Sequence, residues 1–129
     1  MTVYEIDLPW SSPPLSLNQR LHWAARARKT AEVRGAAHVL AKQHRLHVGG
    51  PHPHVEVTLH YRPRDNRVRD VDNPIPTLKA CCDGLVDAGV VVDDAPTHMT
   101  KHMTVIHEPG EPRLWLVVAI PPQRLSDAA

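Results

Sequence analysis

Between Arg69 and Asp94 the chain reads RDVDNPIPTLKACCDGLVDAGVVVDD, with acidic residues at both ends and Lys79 between them. Asp70 and Asp72 are two apart, so an extended segment would point both carboxylates the same way. The next residues have the marks of a helix start. Asp72 or Asn73 can cap it, Pro74 suits the first turn, and Pro76 still lies among residues whose N–H groups lack intrahelical partners. Leu78, Cys82 and Leu85 then recur at helical spacing, with Cys81 and Ala88 beside them. Gly89 is a helix stop, and Val90 to Val92 form a short buried run into Asp93-Asp94. A strand end, a helix and a loop would thus gather Asp70, Asp72 and one or both of Asp93 and Asp94. Carboxylates crowded in this way need a compensating cation, and hard oxygen ligands with no thiolate suit Mg²⁺ or Mn²⁺. The same residues can also be read as no more than a helix cap and a turn.

The elements that must position them are legible as patterns. In VYEIDL, residues 3–8, Tyr4, Ile6 and Leu8 alternate with Val3, Glu5 and Asp7, as in a half-buried strand. Pro9 ends it, and SSPPLS is a loop. From Gln19 to Arg45 the sequence is Ala-rich and free of Pro, which predicts a long helix with an inner stripe of Trp23, Ala27, Thr30, Ala37 and Ala41, interrupted by Arg34. Arg20, His22, Arg26, Arg28, Lys29 and Arg34 lie on it or just before it. They read as a solvated face or, beside an acidic metal site, as a phosphate-contacting patch. Val55, Val57, Leu59 and Tyr61 alternate with polar residues in a second strand, which runs into a loop crowded with Arg62, Arg64, Arg67 and Arg69. Those arginines can hold phosphates flanking a scissile one, or simply balance Asp65, Asp70 and Asp72. Met99 to His107 reads as a strand, Pro109-Gly110 as a turn, and Leu114, Leu116, Val118 and Ile120 as its partner strand, with Trp115 and Val117 on the other face. The expected fold is α+β, a two-layer domain over residues 1–122 in which two main helices pack a mostly antiparallel or mixed sheet. Residues 123–129 read as a mobile tail.

Composition bounds the rest. The chain has 129 residues, a formal charge of +1 and no Phe, so neither bulk charge nor a broad aromatic platform announces a nucleic-acid partner. Cys81 and Cys82 read as buried thiols rather than a disulfide framework. His47, His52, His54, His98 and His102 lack the Cys/His spacing of a structural zinc site, and most of the ten histidines read as surface residues. With neither a signal peptide nor a membrane-length apolar run, the cytoplasm is the expected compartment.

The order Asp-x-Asp-Asn, then a Lys four before an Asp, then Gly-Leu-Val-Asp-Ala-Gly-Val and Asp-Asp, resembles the RusA-like Holliday-junction resolvases. The match is densest over residues 69–95 and extends loosely to Ile6-Asp7-Leu8-Pro9-Trp10 and the final strand. The segment from Pro74 to Leu78 is longer than in the shortest members, so the assignment of Lys79 rests on its spacing to Asp83. The resemblance implies a homodimeric endodeoxyribonuclease that resolves four-way DNA junctions by paired symmetric nicks, in recombination and repair. It implies Asp70, Asp72, Lys79 and Asp94 as catalytic residues. Asp70, Asp72 and Asp94, or its neighbour Asp93, would hold Mg²⁺, for which Mn²⁺ can substitute. Branched DNA would be held by Arg20, Arg26, Arg28, Lys29, Arg62, Arg64, Arg67 and Arg69. A two-fold dimer would present two identical sites to a nearly two-fold junction. Two other classes remain open: a branched-DNA-binding protein that does not cut, and a general metal-dependent nuclease.

Overall fold

Three long strands frame the sheet in the computed structural model, which describes residues 1–122. These are β1 (Thr2–Asp7), β2 (Val55–Arg62) and β5 (Arg113–Ile120). Two short strands, β3 (Met99–Lys101) and β4 (Val105–Ile106), complete a five-stranded sheet in the order β1-β5-β2-β3, with β4 also on β2. Two helices, α1 (Trp23–Gln43) and α2 (Ile75–Asp87), make the fold α+β. The expected tail, 123–129, lies outside the described residues.

The sheet is mixed. β5 pairs antiparallel with both β1 and β2, whereas β3 and β4 pair parallel to β2. This corrects the expected hairpin between Met99–His107 and the last strand. β5 is apolar on both faces, with Leu114, Trp115 and Leu116 all buried, and a strand of that kind belongs inside a sheet rather than at its edge. The chain crosses the end of β2 to get there: the Gly110 N–H donates to the Pro63 carbonyl at 2.9 Å, and Arg62 Nε to the Glu111 carbonyl at 2.6 Å.

The expected strand over 99–107 is also broken. The offset between partners grows by one residue from Val57–Lys101 to His60–Val105, so the edge carries one extra residue, as in a β-bulge. Parity then decides which way each side chain faces. Lys101 sits opposite Val57, whose side chain is buried in the core, and so faces the helices. Val105 sits opposite His60, on the other face.

One face of β1, β2 and β5 joins the helices in a single core. It contains Ile6, Val55, Val57, Leu59, Leu114, Leu116 and Val118 from the sheet, Val33, Ala37 and Ala41 from α1, and Leu78, Cys81, Cys82 and Leu85 from α2. Full burial of each large aliphatic side chain stabilises by roughly 1.5–3 kcal/mol. The inner stripe of α1 is Val33, Ala37 and Ala41, at i, i+4 and i+8. The expected members Trp23, Ala27 and Thr30 are not in it: Trp23 is 77% exposed, Ala27 is exposed and Thr30 half-buried. The two helices meet through Gly84, where a Cβ would overlap the Arg34 carbonyl oxygen and come within 2.8 Å of the Ala37 Cβ. Only a glycine lets the backbones approach so closely. Arg34, which breaks the stripe, bonds both Asp87 oxygens through Nε and Nη2 at 2.5 and 2.8 Å, so the break is a second link between α1 and α2.

Candidate functional site

Helix α2 organises the site, but its start differs from expectation. Pro74 occupies the N-cap with no side-chain cap bond, so neither Asp72 nor Asn73 caps the helix. Asp70 and Asp72 do not lie on an extended strand either. The Asn73 N–H donates to the Asp70 carbonyl at 3.2 Å and the Ile75 N–H to that of Asp72 at 3.1 Å, so the segment is a turn. Three prolines in 63–76 and the Asx-rich sequence favour turns over a ladder. Both carboxylates are exposed on that turn.

Asn73 instead fastens the turn to the loop before α1. Its carbonyl accepts from the Leu17 N–H at 3.0 Å, its Oδ1 from the Asn18 N–H at 3.2 Å, and its Nδ2 donates to Asn18 Oδ1 at 3.3 Å. Buried Thr77 continues the seam, donating its hydroxyl to the Leu15 carbonyl at 2.7 Å and accepting the Leu15 N–H at 3.1 Å. The loop, the turn and the first turn of α2 thus form one braced unit.

Lys79 stands one helical turn into α2 from Ile75, and its Nζ contacts Asp83 Oδ1 at 2.8 Å and Asp94 Oδ2 at 2.6 Å. Lys79 thus pairs with Asp83 one helical turn on and with Asp94, which is far from it in sequence. The two carboxylates raise the Lys79 ammonium to about 12, Asp83 contributing most. Lys101 Nζ also reaches Asp94 Oδ2, at 2.8 Å. Lys101 and then Lys79 hold the Asp94 carboxyl well below the usual range. Asp93 is exposed and accepts the Asp94 N–H at 2.8 Å on its own Oδ1. The pair left open in the sequence is thereby separated: Asp94 faces the lysines, and Asp93 shapes the backbone.

Asp72 precedes α2 by three residues, and Lys79, which holds Asp94, lies four beyond its first residue. Among the described residues no group of three His, Cys, Asp or Glu stands close enough to hold a metal ion. The donors fit a hard divalent cation in type. They are carboxylate oxygens only, and both thiols are buried on the core face of α2, where burial pushes Cys82 up to about 12 and Cys81 higher still.

The arginines divide into two sets. Asp65 is the hub of the loop after β2: its Oδ1 accepts from Arg69 Nη2 at 2.8 Å, Arg67 Nε at 3.1 Å and the Arg67 N–H at 3.2 Å. Arg69 is the main reason the Asp65 carboxyl is held down at about 2. Arg64 and Arg67 remain exposed, while Arg69 is half-buried over the Tyr61 ring at 5.8 Å. A cleft lined by Ser11, Ser12, Arg64, Arg67 and Arg69 adjoins a second one containing Ser16, Asp70 and Asn73, and Tyr61 and Arg69 line both. Arg62 is committed to the Glu111 carbonyl. On and before α1, Arg20 and Arg28 are exposed, Arg26 is half-buried, and Lys29 lies 3.8 Å from Glu32.

Two features were not anticipated from sequence. Lys101 lay within a stretch read only as strand; parallel pairing with β2, in register with Val57, is what aims it at Asp94. The other is a cluster on the open face of the sheet. His60 Nδ1 and His107 Nε2 share a hydrogen bond at 2.8 Å, both rings lie on Trp115, and the Arg113 guanidinium sits 4.1 Å from the Trp115 ring centroid. Burial, and then His107, lowers the His60 pKa. Trp115 is thereby only 5% exposed. None of the ten histidines is buried, although His52 and His54 are half-buried and bonded, to the Leu46 carbonyl at 2.9 Å and the Thr100 hydroxyl at 2.7 Å.

No family model matches the chain. A protein of Xylella fastidiosa (strain Temecula1 / ATCC 700964), described as an uncharacterized protein, is similar to it, 32% identical over 94 residues. Those residues are 69% of this chain and 59% of that protein, so this chain spans less than two-thirds of its relative's length. No helix among the described residues is long and apolar enough to cross a membrane.

Proposed function

We propose that this protein is a metal-dependent endodeoxyribonuclease that resolves four-way DNA junctions in recombination and repair, a RusA-like resolvase acting as a homodimer. The observation that carries the reading is the Lys79 bridge. An ammonium on the second turn of α2 contacts Asp94, 15 residues away in sequence. This joins two parts of the motif that are far apart in sequence, and the reading takes Asp70 and Asp72, on the turn that leads into the same helix, as the remaining parts.

Asp70, Asp72 and Asp94 are the residues that would hold Mg²⁺ or Mn²⁺. When bound, such an ion neutralises charge at the scissile phosphate and makes a water acidic enough to attack. Lys79 reaches past its own helix to Asp94 and can stabilise charge that develops on the phosphoryl oxygens. Its raised pKa keeps it a cation throughout the neutral range. Arg64 and Arg67, exposed on the loop that leads to Asp70, suit flanking phosphates, as do Arg20, Arg26, Arg28 and Lys29 on and before α1. Arg69 is a support for that loop as much as a phosphate ligand, because Asp65 already holds it.

The second reading, a branched-DNA-binding protein that does not cut, gains support from the lysines that already neutralise Asp94. The test is a labelled synthetic four-way junction incubated with Mg²⁺ or Mn²⁺, comparing wild type, Asp72→Asn and a linear duplex. The resolvase reading expects paired symmetric nicks from wild type, and binding without cutting from Asp72→Asn. Binding without cutting by both proteins transfers the assignment to the binding protein. Equal cutting of linear duplex keeps the carboxylates and gives up the junction.

A further inference from the structure

Two lysines converge on one oxygen of Asp94. Lys79 Nζ is 2.6 Å and Lys101 Nζ 2.8 Å from Oδ2. Two ammonium groups so close repel each other, and both stay because the carboxylate between them attracts each more strongly. Their circumstances differ. Lys79 has a second carboxylate in Asp83 at 2.8 Å, whereas Asp94 is the one ion-pair partner of Lys101 among the described residues. Lys101 is also the less exposed of the two, at 32% of its side chain against 53%. Its direction is set by the backbone, since register with Val57 turns it to the helix side of the sheet.

We infer that Lys101 is a positioning residue: it holds Asp94 as an internal counter-ion and competes there with the divalent cation of the proposed nuclease site. The inference rests on that reading of the carboxylates. A divalent ion that approaches Oδ2 meets an oxygen already carrying two positive neighbours. Loading therefore requires Lys101 to move off, and Lys79 to lean on Asp83. Space for the movement is present, because a cavity of about 230 Å³ lined by Ile75, Leu78, Met103 and both lysines adjoins the pair. The cost to cation affinity has a purpose. Without a cation, Asp94 remains oriented and neutralised rather than exposed as a lone carboxylate at the end of α2.

The test is Mn²⁺ binding to the full chain without DNA, at low salt, followed by the electron paramagnetic resonance signal of free Mn²⁺. Lys101→Met and Lys101→Gln each remove the charge, and both are expected to bind Mn²⁺ on the order of tenfold more tightly than wild type. Lys101→Arg keeps the charge and is expected to stay within about twofold of wild type, since the guanidinium remains a competing cation. The gain should vanish in Lys101→Met/Asp94→Asn, which locates the effect at Asp94. Tighter binding is not a result that loosened folding would produce. If wild type binds Mn²⁺ and the neutral variants match it or bind more weakly, the inference fails and the nuclease reading stands. If no variant binds Mn²⁺ at millimolar concentration, both fail.

Discussion

Replacing Gly84 with alanine tests how tightly α2, and with it Lys79, is seated. Two effects of opposite sign compete. In a helix interior alanine is better than glycine by about 1 kcal/mol. Against that, a Cβ at position 84 would overlap the Arg34 carbonyl oxygen and lie 2.8 Å from the Ala37 Cβ and 3.0 Å from the His38 nitrogen. Carbon atoms pack best at about 3.5–4.0 Å, so the helices must part by roughly 1 Å, and a gap of that size forfeits a quarter to a half of each dispersion contact. None of the three obstacles is the free end of a flexible side chain. Overpacking of this kind costs about 1–3 kcal/mol, and here the upper part of that range applies. The net expectation is a loss of about 1–2 kcal/mol, seen as a Tm lower by several degrees. Gly35 is the control. It lies in α1, where a new Cβ meets nothing within 4 Å, so Gly35→Ala should gain up to about 1 kcal/mol. Thermal and urea unfolding followed by circular dichroism measures both. If Gly84→Ala raises Tm alongside Gly35→Ala, the account of the helix contact is wrong.

The same contacts lead to other outcomes. Arg34 holds the Asp87 carboxyl below its ordinary value, so this pair should stabilise the protein above about pH 4, the unfolded carboxylate's range, and lose its effect as pH falls through the lower native value. Wild type should therefore be more stable than Asp87→Asn at pH 7, with the two curves converging in acid; a constant gap down to pH 2 would contradict this. Cys81 and Cys82 are buried with raised pKa values, so a thiol reagent at pH 8 should leave both untouched in native protein and modify two thiols in urea. Rapid native labelling would show that α2 opens. Asp65→Asn removes the acceptor that organises Arg67 and Arg69, and trypsin should then cleave between residues 64 and 69 markedly faster than in wild type, whereas unchanged digestion would show that Asp65 does not brace the loop.

Much of this molecule is legible in local pattern. The alternation in β2 and the helical spacing of Leu78, Cys82 and Leu85 depend on neighbours within a few residues, and those apolar positions are buried as that spacing implies, whereas Tyr4 of β1 and Ile120 of β5 are only half-buried. Gly89, at φ 82°, ends α2 for an equally local reason, because glycine carries no Cβ penalty there. The α1 stripe was harder to read. Alanine serves either face of a helix, and only packing against Gly84 and the sheet selects Val33, Ala37 and Ala41.

For the candidate site, the sequence determined the cast: three carboxylates, Lys79 and an arginine-rich loop, in an order that suggests phosphodiester chemistry. The tertiary structure decided their partners. Parallel pairing of β3 with β2 delivers Lys101 to Asp94, and the bulge before β4 turns Val105 to the opposite face. Asp93 bonds the backbone N–H of Asp94, and Asp94 meets the lysines. A salt bridge depends on distances of about 3–4 Å between residues far apart in the chain. No period of 2 or 3.6 in the sequence records which strand lies beside which.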